Sequence, residues 1–341
     1  MYKCAVIVTT HNRSNELKIS LDSLANQNVD WGFYQIIVVD NYSDDQGVAT
    51  KNVCEELIKS YPRLNLEYHY ESIVGGITYS RNKWARNADA EIIIFGDDDY
   101  IAEKSLVGSC YKSFEDKSVA IVVGPLLPKY EAAPPIWVKK LWQKCPYGKY
   151  LSDFTLLDFG AKEKVIPYQY AFWSNQAIKK SFLLKSNGYG PDGFGGDKVA
   201  YNGNGEHNLN RFAEENGFKI VYCPSMLAYH RIFSYRFTRG YFRSRYFYYG
   251  VGASFDASRK FSGPLSYLYI TKYIVRHLFN RSLITNCAVL RFSSFWSLQG
   301  FLYHQFLLRN NPILLDFILR DSWFDYDFSK LTPLGKKPSL W

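Results

Sequence analysis

Three consecutive carboxylates follow an apolar run in the stretch IIIFGDDDY, residues 92–100. The like charges of Asp97, Asp98 and Asp99 destabilise one another unless a cation or solvent compensates them. Carboxylates at the end of a strand suit a hard divalent cation such as Mg²⁺ or Mn²⁺, which keeps some waters and also binds phosphate oxygens. A solvated acidic turn is the alternative, but polar residues that follow two other apolar runs favour a metal site.

Basic residues suited to phosphate lie in GGITYSRNKWARNA, residues 75–88. Two glycines there open a predicted helix that carries Arg81. Backbone N–H groups at a helix N-terminus attract anions, and Arg81 can donate charge-assisted hydrogen bonds, so the segment could bind a diphosphate. An ordinary basic surface helix explains the segment equally well when it is judged alone.

Short apolar runs alternate with segments of helical spacing in the first half of the chain. This alternation predicts an α/β fold with a mostly parallel sheet and helices on both faces. Ligands of such sheets bind at the carboxyl ends of the strands, and here those ends carry residues 9–13, Asp40 and the three acids. The predicted strands cover residues 4–10, 35–40, 64–70, 91–96, 120–124 and 218–223, and the predicted helices cover 12–26 (with Ser14 as N-cap), 50–60, 76–87, 104–115 and 206–216.

A glycine-rich stretch, Gly188–Gly205, precedes the last of these helices. Seven glycines and one proline in 18 residues predict a long mobile loop. Long loops in compact domains often close over active sites.

The order and spacing of these motifs resemble those of the family 2 glycosyltransferases, an inverting group with the GT-A nucleotide-sugar-binding fold. The resemblance covers about residues 1–230. Its motifs are VIVTTHNR (6–13), IIVVDNYSDD (36–45), GGITYSRNKWARNA (75–88), IIIFGDDDY (92–100) and GNGEHNLNRFAEENGFKIVYCPSMLAYH (203–230).

The resemblance implies a nucleotide-sugar donor, most often a UDP-sugar in this family, and a divalent metal, Mn²⁺ or Mg²⁺. Thr9 and Arg13 would line the nucleotide pocket, and Asp40 would hydrogen-bond the base or ribose. Arg81 and Asn82 match the family's position near the uridine and diphosphate.

The three acids match the family's DXD element. Asp98 would reach ribose or sugar hydroxyls, and Asp99 would bind the metal directly, with Asp97 as a further metal-site residue. His230 is either a metal or diphosphate ligand or a structural histidine. Trp173, Ser174 and Asn175 fall where the family places a loop for the donor sugar and acceptor.

The general base is where the chain departs from the family pattern. A Glu-Asp pair is common at the start of the late helix, whereas this chain has Glu206 and His207. Glu206 is the favoured base, His207 the alternative, and Asp192 and Asp197 are further candidates. The implied reaction is a direct displacement at the anomeric carbon with inversion. No QxxRW motif follows the late helix, which disfavours a processive synthase.

The net charge of +9 is unevenly distributed along the 341 residues. Residues 1–230 hold 25 Lys and Arg against 27 Asp and Glu, whereas residues 231–310 hold 12 against the single Asp256 and also contain 21 aromatic residues. Amphipathic segments at Gly240–Gly250 and Tyr267–Phe279 are typical of helices at lipid interfaces. We therefore expect peripheral membrane attachment through 231–310. A helical subdomain that packs its aromatic residues on the catalytic domain or a second subunit is the alternative.

These observations predict a GT-A catalytic domain over 1–230, with a nucleotide-sugar side over about 1–125 and an acceptor side over about 126–230. A helical C-terminal region would cover 231–341. No RNA-binding motif supports a nucleic-acid partner. Scattered cysteines without CxxC spacing and an N-terminus that runs straight into a strand fit a cytoplasmic enzyme on the inner face of the membrane.

The expected acceptor is a glycan or polyisoprenoid-linked sugar, as in bacterial surface polysaccharide assembly, and an oligomer is possible. Two other functions stay open. A nucleotidyltransferase would use a similar fold but would have a glycine-rich basic loop after the first strand, where this chain has THNRSNE. A non-catalytic nucleotide-sugar-binding protein is the other.

Overall fold

The first strand is buried on both sides, as its uninterrupted apolar sequence predicts. Every residue from Cys4 to Thr10 is buried, because helices cover both faces of the sheet that this strand enters. The structure is a computed structural model that describes residues 1–278 and 288–334, with the side chains of Trp173, Leu278 and 288–291 outside the described part.

Strands and helices alternate through the first 125 residues and continue less regularly after them. The strands are β1 (Tyr2–Thr10), β2 (Tyr34–Asn41), β3 (Leu66–Glu71), β4 (Ala90–Asp97), β5 (Tyr100–Ala102), β6 (Val119–Val123), β7 (Leu126–Tyr130), β8 (Gln143–Cys145), β9 (Gly148–Leu151), β10 (Leu156–Asp158), β11 (Lys164–Val165), β12 (Gln176–Lys179), β13 (Lys219–Tyr222) and β14 (Ala228–Ile232). The helices are α1 (Ser14–Ala25), α2 (Val48–Ser60), α3 (Gly76–Asn87), α4 (Leu106–Ser113), α5 (Ile136–Lys139), α6 (Lys180–Lys185), α7 (Gly205–Glu215), α8 (Arg239–Lys260), α9 (Tyr267–Leu278), α10 (Ala288–Asn310) and α11 (Pro312–Leu319).

The main sheet has the strand order β11-β13-β6-β12-β4-β1-β2-β3. Strands β3, β2, β1 and β4 are parallel to one another, as predicted. The unpredicted β12 lies antiparallel between β4 and β6. The sheet is therefore mixed, with its parallel part around β1.

Two hydrophobic layers enclose this sheet. One face packs with α1, α2 and α4, and the other packs with α3, α6 and α7. Successive residues of β1 alternate between the layers, since Val6 and Val8 join the first and Ala5 and Ile7 join the second. The predicted α/β architecture with helices on both faces is confirmed.

A second sheet extends the carboxyl-end edge of the first, in the order β5-β14-β7-β10-β9-β8. It joins the segment directly after the three acids to the strand that carries His230, because β5 pairs with β14. The predicted N-cap of α1 is wrong by one residue. The helix begins at Ser14, and Arg13 occupies the cap position without a capping side-chain hydrogen bond.

The glycine-rich segment is packed into the protein, contrary to the predicted long mobile loop. Residues 196–201 form a 3₁₀ helix, and Phe194 and Tyr201 join a buried cluster with Leu314 and Phe317 of α11. The Asn202 side chain closes the segment through hydrogen bonds to the backbone of Phe194. The C-terminal helices thus hold the segment in place.

The C-terminal region is mainly helical in its described part, and α8 and α10 pack closely along each other. A side chain at Gly250 would collide with the Ser297 carbonyl, so this crossing requires glycine. Phe242 and Tyr246 of α8 pack against Phe154, which lies in a 3₁₀ turn between β9 and β10. One of the two segments predicted to lie at a lipid interface, Gly240–Gly250, lies in α8. Its aromatic residues Phe242 and Tyr246 therefore pack inside the protein instead. Within residues 1–278 and 288–334, no helix is long and apolar enough to cross a membrane.

Candidate active site

The strand register brings the predicted polar residues together at one edge of the main sheet. Thr9 pairs with Asp97 of β4, and Thr10 pairs with Asp40 of β2. Because the three strands are parallel, their carboxyl ends lie side by side. The convergence predicted from the sequence is present.

Asp97 is held by the helix that carries the predicted phosphate-binding arginine. The Arg81 guanidinium donates to Asp97 Oδ1 at 2.7 Å and lies over the Phe95 ring at 5.3 Å. The Arg81 side chain is fully buried. A buried guanidinium beside a carboxylate gives this part of the cleft a fixed charge pair.

Asp98 is buried between two donors that follow β1. Thr10 Oγ1 donates to it at 2.8 Å, and Arg13 donates to it at 2.7 Å. Burial raises the pKa of Asp98 to about 7, although Arg13 opposes that shift. Arg13 also contacts Asp99 at 3.0 Å and the Tyr235 hydroxyl at 2.9 Å.

Asp99 lies at the centre of a buried charge cluster. His230 Nε2 is 3.2 Å from Asp99 Oδ1, and Arg236 donates to Asp99 Oδ2. Burial favours the neutral acid, but the Arg236 and Arg13 guanidinium groups outweigh it and hold the pKa of Asp99 well below its usual range. Asp99 is therefore a carboxylate throughout the physiological pH range.

Arg236 is a site residue that the sequence reasoning missed. It lies in the basic segment 231–310, whose charges were interpreted together as a docking surface. Arg236 is itself 8% exposed and contacts both Asp99 and His230. The signal that could have found it is the need of three adjacent carboxylates for buried cations.

Asp99 and His230 could serve as two ligands of a divalent metal. His230 Nδ1 is 2.8 Å from the Phe154 carbonyl oxygen, which can only accept. The hydrogen bonds thus assign the proton to Nδ1 and leave a lone pair on Nε2, as metal-ligating histidines require. In the described part of the chain no group of three His, Cys, Asp or Glu side chains could hold a metal, so water and substrate oxygens would complete the coordination.

The favoured base, Glu206, lies in the first turn of α7, within electrostatic range of Arg81. Burial raises the pKa of Glu206 to about 7, and the nearby Asp192 charge adds to the shift, while Arg81 and Arg245 oppose it. Burial also raises the pKa of Asp192 to about 6. Two carboxylates and two arginines therefore share this side of the cleft.

The glycine-rich segment that leads to Glu206 is held in place by α3 and α8. The backbone N–H of Asp192 donates to Thr78 of α3 at 2.9 Å, and a side chain at Gly76 would collide with the Asp192 carbonyl. Asn204, directly before α7, donates to the Asp256 carboxylate of α8. Helix α8 thus helps to position the candidate base.

His207 has a different environment. Its ring packs edge-on against Tyr168 at 5.0 Å, and burial with the nearby Arg211 charge lowers its pKa. A histidine that already packs on an aromatic ring is less suited than Glu206 to take a proton from an acceptor.

Several predicted donor-binding residues support the loops around the site. Asp40 accepts from the Ser43 N–H at 2.8 Å and from the Thr50 hydroxyl at 2.5 Å. Asn82 makes two 2.9 Å hydrogen bonds with the Tyr189 backbone. Their predicted contacts with a donor stay predictions.

Two of the remaining predicted residues, Asn175 and Ser174, also form hydrogen bonds with neighbouring loops. Asn175 donates to the carbonyls of Pro125 and Met226 at 3.0 and 2.7 Å. Ser174 donates to the Thr155 hydroxyl at 3.1 Å. The Thr9 hydroxyl is buried and has no hydrogen-bond partner within the described residues, whereas the Trp173 side chain lies outside them.

Comparison with protein families identifies the first half of the chain. Residues 5–174 match the model of Glycosyl transferase family 2. The chain belongs to glycosyltransferase family 2. Three features of the cleft lie beyond the matched range: Glu206, His230 and Arg236.

Two curated relatives of this family 2 chain match it over about 120 residues. The uncharacterized glycosyltransferase YfnE of Bacillus subtilis (strain 168) is 34% identical over 36% of this chain. The poly(ribitol-phosphate) β-N-acetylglucosaminyltransferase TarP of Staphylococcus aureus (strain N315) is 27% identical over 36% of this chain. The chain spans only 29% and 36% of the lengths of these two relatives.

Solved structures of glycosyltransferases share the fold over most of the chain. The mannosyltransferase PcManGT from Pyrobaculum calidifontis, in complex with GDP-Man and Mn²⁺, has a TM-score of 0.53 at 16% identity and covers 89% of this chain and 74% of its own. TarS of S. aureus, in complex with UDP-GlcNAc, has a TM-score of 0.50 at 15% identity and covers 93% of this chain and 89% of its own. The predicted GT-A fold is confirmed.

Proposed function

We propose that this chain transfers a sugar from a nucleotide-diphosphate sugar, a UDP-sugar, to a hydroxyl of a glycan or lipid-linked acceptor, with inversion at the anomeric carbon. One observation carries the proposal. Arg81 donates to Asp97 of the acid cluster, and its charge also acts on Glu206 and Asp192. The acids suited to a diphosphate donor and the acid suited to a base therefore face one cleft.

The donor side would neutralise the leaving nucleoside diphosphate. Arg13 and Arg81 supply fixed positive charges there, and such preorganised charges stabilise developing negative charge in a dry site. Mn²⁺ or Mg²⁺, held by Asp99 and His230, would supply Lewis-acid stabilisation of the same leaving group.

The acceptor side would supply the base. Glu206, with a pKa of about 7, takes the proton of the acceptor hydroxyl as that oxygen attacks the anomeric carbon. A base is most effective when its pKa lies near the working pH, and it contributes about 10²–10⁴-fold. A single displacement of this kind inverts the anomeric configuration and needs no covalent sugar intermediate.

The relatives' names support the class of donor and acceptor. TarP and TarS are named as N-acetylglucosaminyltransferases acting on poly(ribitol-phosphate). By analogy we propose a hexose or N-acetylhexosamine donor and an acceptor in bacterial surface polysaccharide assembly.

The exposed face of α9 supports peripheral attachment of a cytoplasmic enzyme to the membrane. Tyr267 and Leu268 are 77% and 66% exposed, and Lys272 and Arg276 are exposed on the same helix. Each basic residue near an anionic surface contributes about 1 kcal/mol. Binding to vesicles with anionic lipid should therefore fall for Lys272→Glu/Arg276→Glu and stay unchanged for the exposed control Lys59→Glu. Equal binding by both variants would contradict attachment through α9.

Donor turnover tests the proposed reaction. The purified full chain is incubated with UDP-, GDP- and dTDP-sugars, with and without Mn²⁺, and released nucleoside diphosphate is measured. We expect turnover with a UDP-sugar and its loss in Glu206→Gln when an acceptor is present. Neither turnover nor nucleotide binding across the panel would contradict the proposal.

A further inference from the structure

The buried Arg236 guanidinium contacts the two side chains, Asp99 and His230, that would bind a metal. Arg236 donates to His230 Nε2 at 2.8 Å and also to Asp99 Oδ2. The same Nε2 lies 3.2 Å from Asp99 Oδ1. Because Nδ1 carries the proton toward Phe154, Nε2 and the carboxylate are both acceptors. Two acceptors held this close must face a shared cation, and in this structure that cation is Arg236.

A divalent metal and Arg236 cannot use this pair at the same time. Both are cations, and each needs the Nε2 lone pair and the Asp99 carboxylate. Two cations held on the same pair of acceptors repel each other, and the repulsion is stronger in a buried site of low dielectric than at a protein surface. Binding of a metal at Asp99 and His230 therefore requires the Arg236 guanidinium to leave.

Charge balance indicates that the metal and the donor diphosphate enter the site together. The cluster holds three carboxylates and three buried or half-buried guanidinium groups, those of Arg13, Arg81 and Arg236. A divalent metal adds two positive charges, and the diphosphate of a nucleotide sugar adds two negative ones. Neither addition is balanced alone in a site of low dielectric, whereas the two together are.

The position of Arg236 fits this exchange. It lies in the 3₁₀ turn Ser234–Phe237, next to Tyr235, whose hydroxyl accepts from Arg13 at 2.9 Å. Arg236 and Arg13 both contact Asp99. A guanidinium that leaves Asp99 therefore remains beside Arg13, which the proposed function places on the donor diphosphate.

We propose that Arg236 and the divalent metal compete for Asp99 and His230, and that the displaced Arg236 binds the diphosphate of the incoming donor. The inference rests on the proposed function, because it assumes a nucleotide diphosphate and a metal in one site. Metal and nucleotide are then thermodynamically coupled through Arg236, and each increases the affinity for the other.

Mn²⁺ binding to the full-length protein tests the competition without any transfer reaction. Free Mn²⁺ is quantified by its EPR signal, with and without saturating UDP. In the wild type we expect weak Mn²⁺ binding alone and an increase of about tenfold or more with UDP. In Arg236→Gln we expect Mn²⁺ alone to bind about tenfold more tightly than in the wild type, and the effect of UDP to fall to about threefold or less.

Two further variants make the result interpretable. Arg239→Gln removes an exposed arginine three residues away and should behave as the wild type. Arg236→Lys keeps a charge but cannot span both acceptors, so it should shift in the same direction as Arg236→Gln. It also serves as the test if the glutamine variant fails to fold by circular dichroism.

The outcomes separate this inference from the proposed function. Competition is overturned if the Arg236 variants bind Mn²⁺ no more tightly than the wild type without UDP, or if UDP has the same effect in both. It is also overturned if the wild type binds no Mn²⁺ with UDP present. If no nucleotide binds at all, the proposed function fails, and the titrations without nucleotide still decide whether Arg236 and Mn²⁺ compete.

Discussion

Two carboxylates of the candidate site, one buried and one half-buried, are held in opposite states. The Arg236 and Arg13 guanidinium groups contact Asp99 and keep its pKa well below the usual range. Glu206 is held by burial near neutrality, with a pKa of about 7, and Arg81 and Arg245 only partly oppose the shift. Pairs of acids whose environments separate their pKa values mark a division of roles.

The difference teaches that stability and chemistry are supported by different parts of this site. The charge pairs around Asp99 join segments far apart in the chain, since Arg236 is 137 residues from Asp99. Glu206, by contrast, is a half-buried acid whose pKa is raised because burial outweighs the opposing charges of Arg81 and Arg245, which reduces stability but suits a base. Substitutions at the two positions should therefore have opposite signatures.

The largest effect is expected on activity, at Glu206. Glu206→Gln removes the proton acceptor and should lower kcat for transfer by about 10²–10⁴-fold. Its free energy of unfolding should stay equal to that of the wild type or rise, because a half-buried carboxylate whose charged form is disfavoured is replaced by a neutral group of the same shape. Steady-state kinetics and urea unfolding measure the two quantities, and Glu215→Gln on the exposed face of the same helix is the control. A kcat within about threefold of the wild type would exclude Glu206 as the base.

The next effect is on stability, at Asp99. Asp99→Asn leaves the Arg13 and Arg236 guanidinium groups without their shared carboxylate. Removing one partner of a buried ion pair typically lowers the free energy of unfolding by about 3–5 kcal/mol. Urea unfolding measures the loss, and Asp89→Asn at an exposed position should change stability by about 0.5 kcal/mol or less.

Equal losses of stability in the Asp99 and Glu206 variants would contradict the contrast between the two acids. If Asp99→Asn and Glu206→Gln lowered the free energy of unfolding by similar amounts, the charge cluster would not be the stronger structural element. Low pH gives the same test by titration. Since the folded-state pKa of Asp99 is depressed, its stabilisation is present above the unfolded-state pKa and is lost as the pH falls through the folded-state pKa.

The third effect is the pH dependence of transfer. Glu206 must be deprotonated to act, so kcat/KM should fall about tenfold per pH unit below pH 7. Because the folded-state pKa of Glu206 is raised, protonated Glu206 contributes to the free energy of unfolding. This contribution is fully present below the unfolded-state pKa and is lost as the pH rises through about 7. Asp192→Asn removes a neighbouring negative charge and should move the midpoint of the activity profile to lower pH. A midpoint that does not move would exclude Asp192 as an electrostatic partner of Glu206.

The sequence predicted the convergence of the three acids with Arg13 and Arg81 better than it predicted the surroundings of these residues. The positions of the three acids and of Arg13 could be predicted because parallel strands bring the residues at their carboxyl ends to one edge of the sheet. Arg81 could be predicted because it lies on the helix that follows two glycines. Arg236 could not be placed, since no local pattern reports a contact over 137 residues. The glycine-rich segment was interpreted as a mobile loop from its composition, but tertiary packing against Leu314 and Phe317 overrides that preference.

The C-terminal region shows the same limit of local patterns. Both α8 and α9 carry basic and aromatic residues, yet α8 packs Phe242 and Tyr246 inward while α9 exposes Tyr267 and Leu268. Composition alone does not distinguish a helix that packs on the protein from one that faces outward. We therefore propose that the catalytic unit extends beyond residue 230 to include α8, because Asp256 of α8 contacts Asn204, two residues before the candidate base.

The smallest effect is expected at His207, the other candidate for the base. Its ring packs on Tyr168, and its lowered pKa reflects burial and the Arg211 charge. If Glu206 alone takes the proton, His207→Asn loses only this packing, so kcat should change by about twofold or less and the midpoint of the pH profile should stay in place. The kinetics of His207→Asn are compared with those of Glu206→Gln under the same acceptor concentration. A loss as large as that of Glu206→Gln, together with a moved midpoint, would transfer the base assignment to His207, because loss of a mere electrostatic neighbour would move the midpoint without so large a loss of kcat.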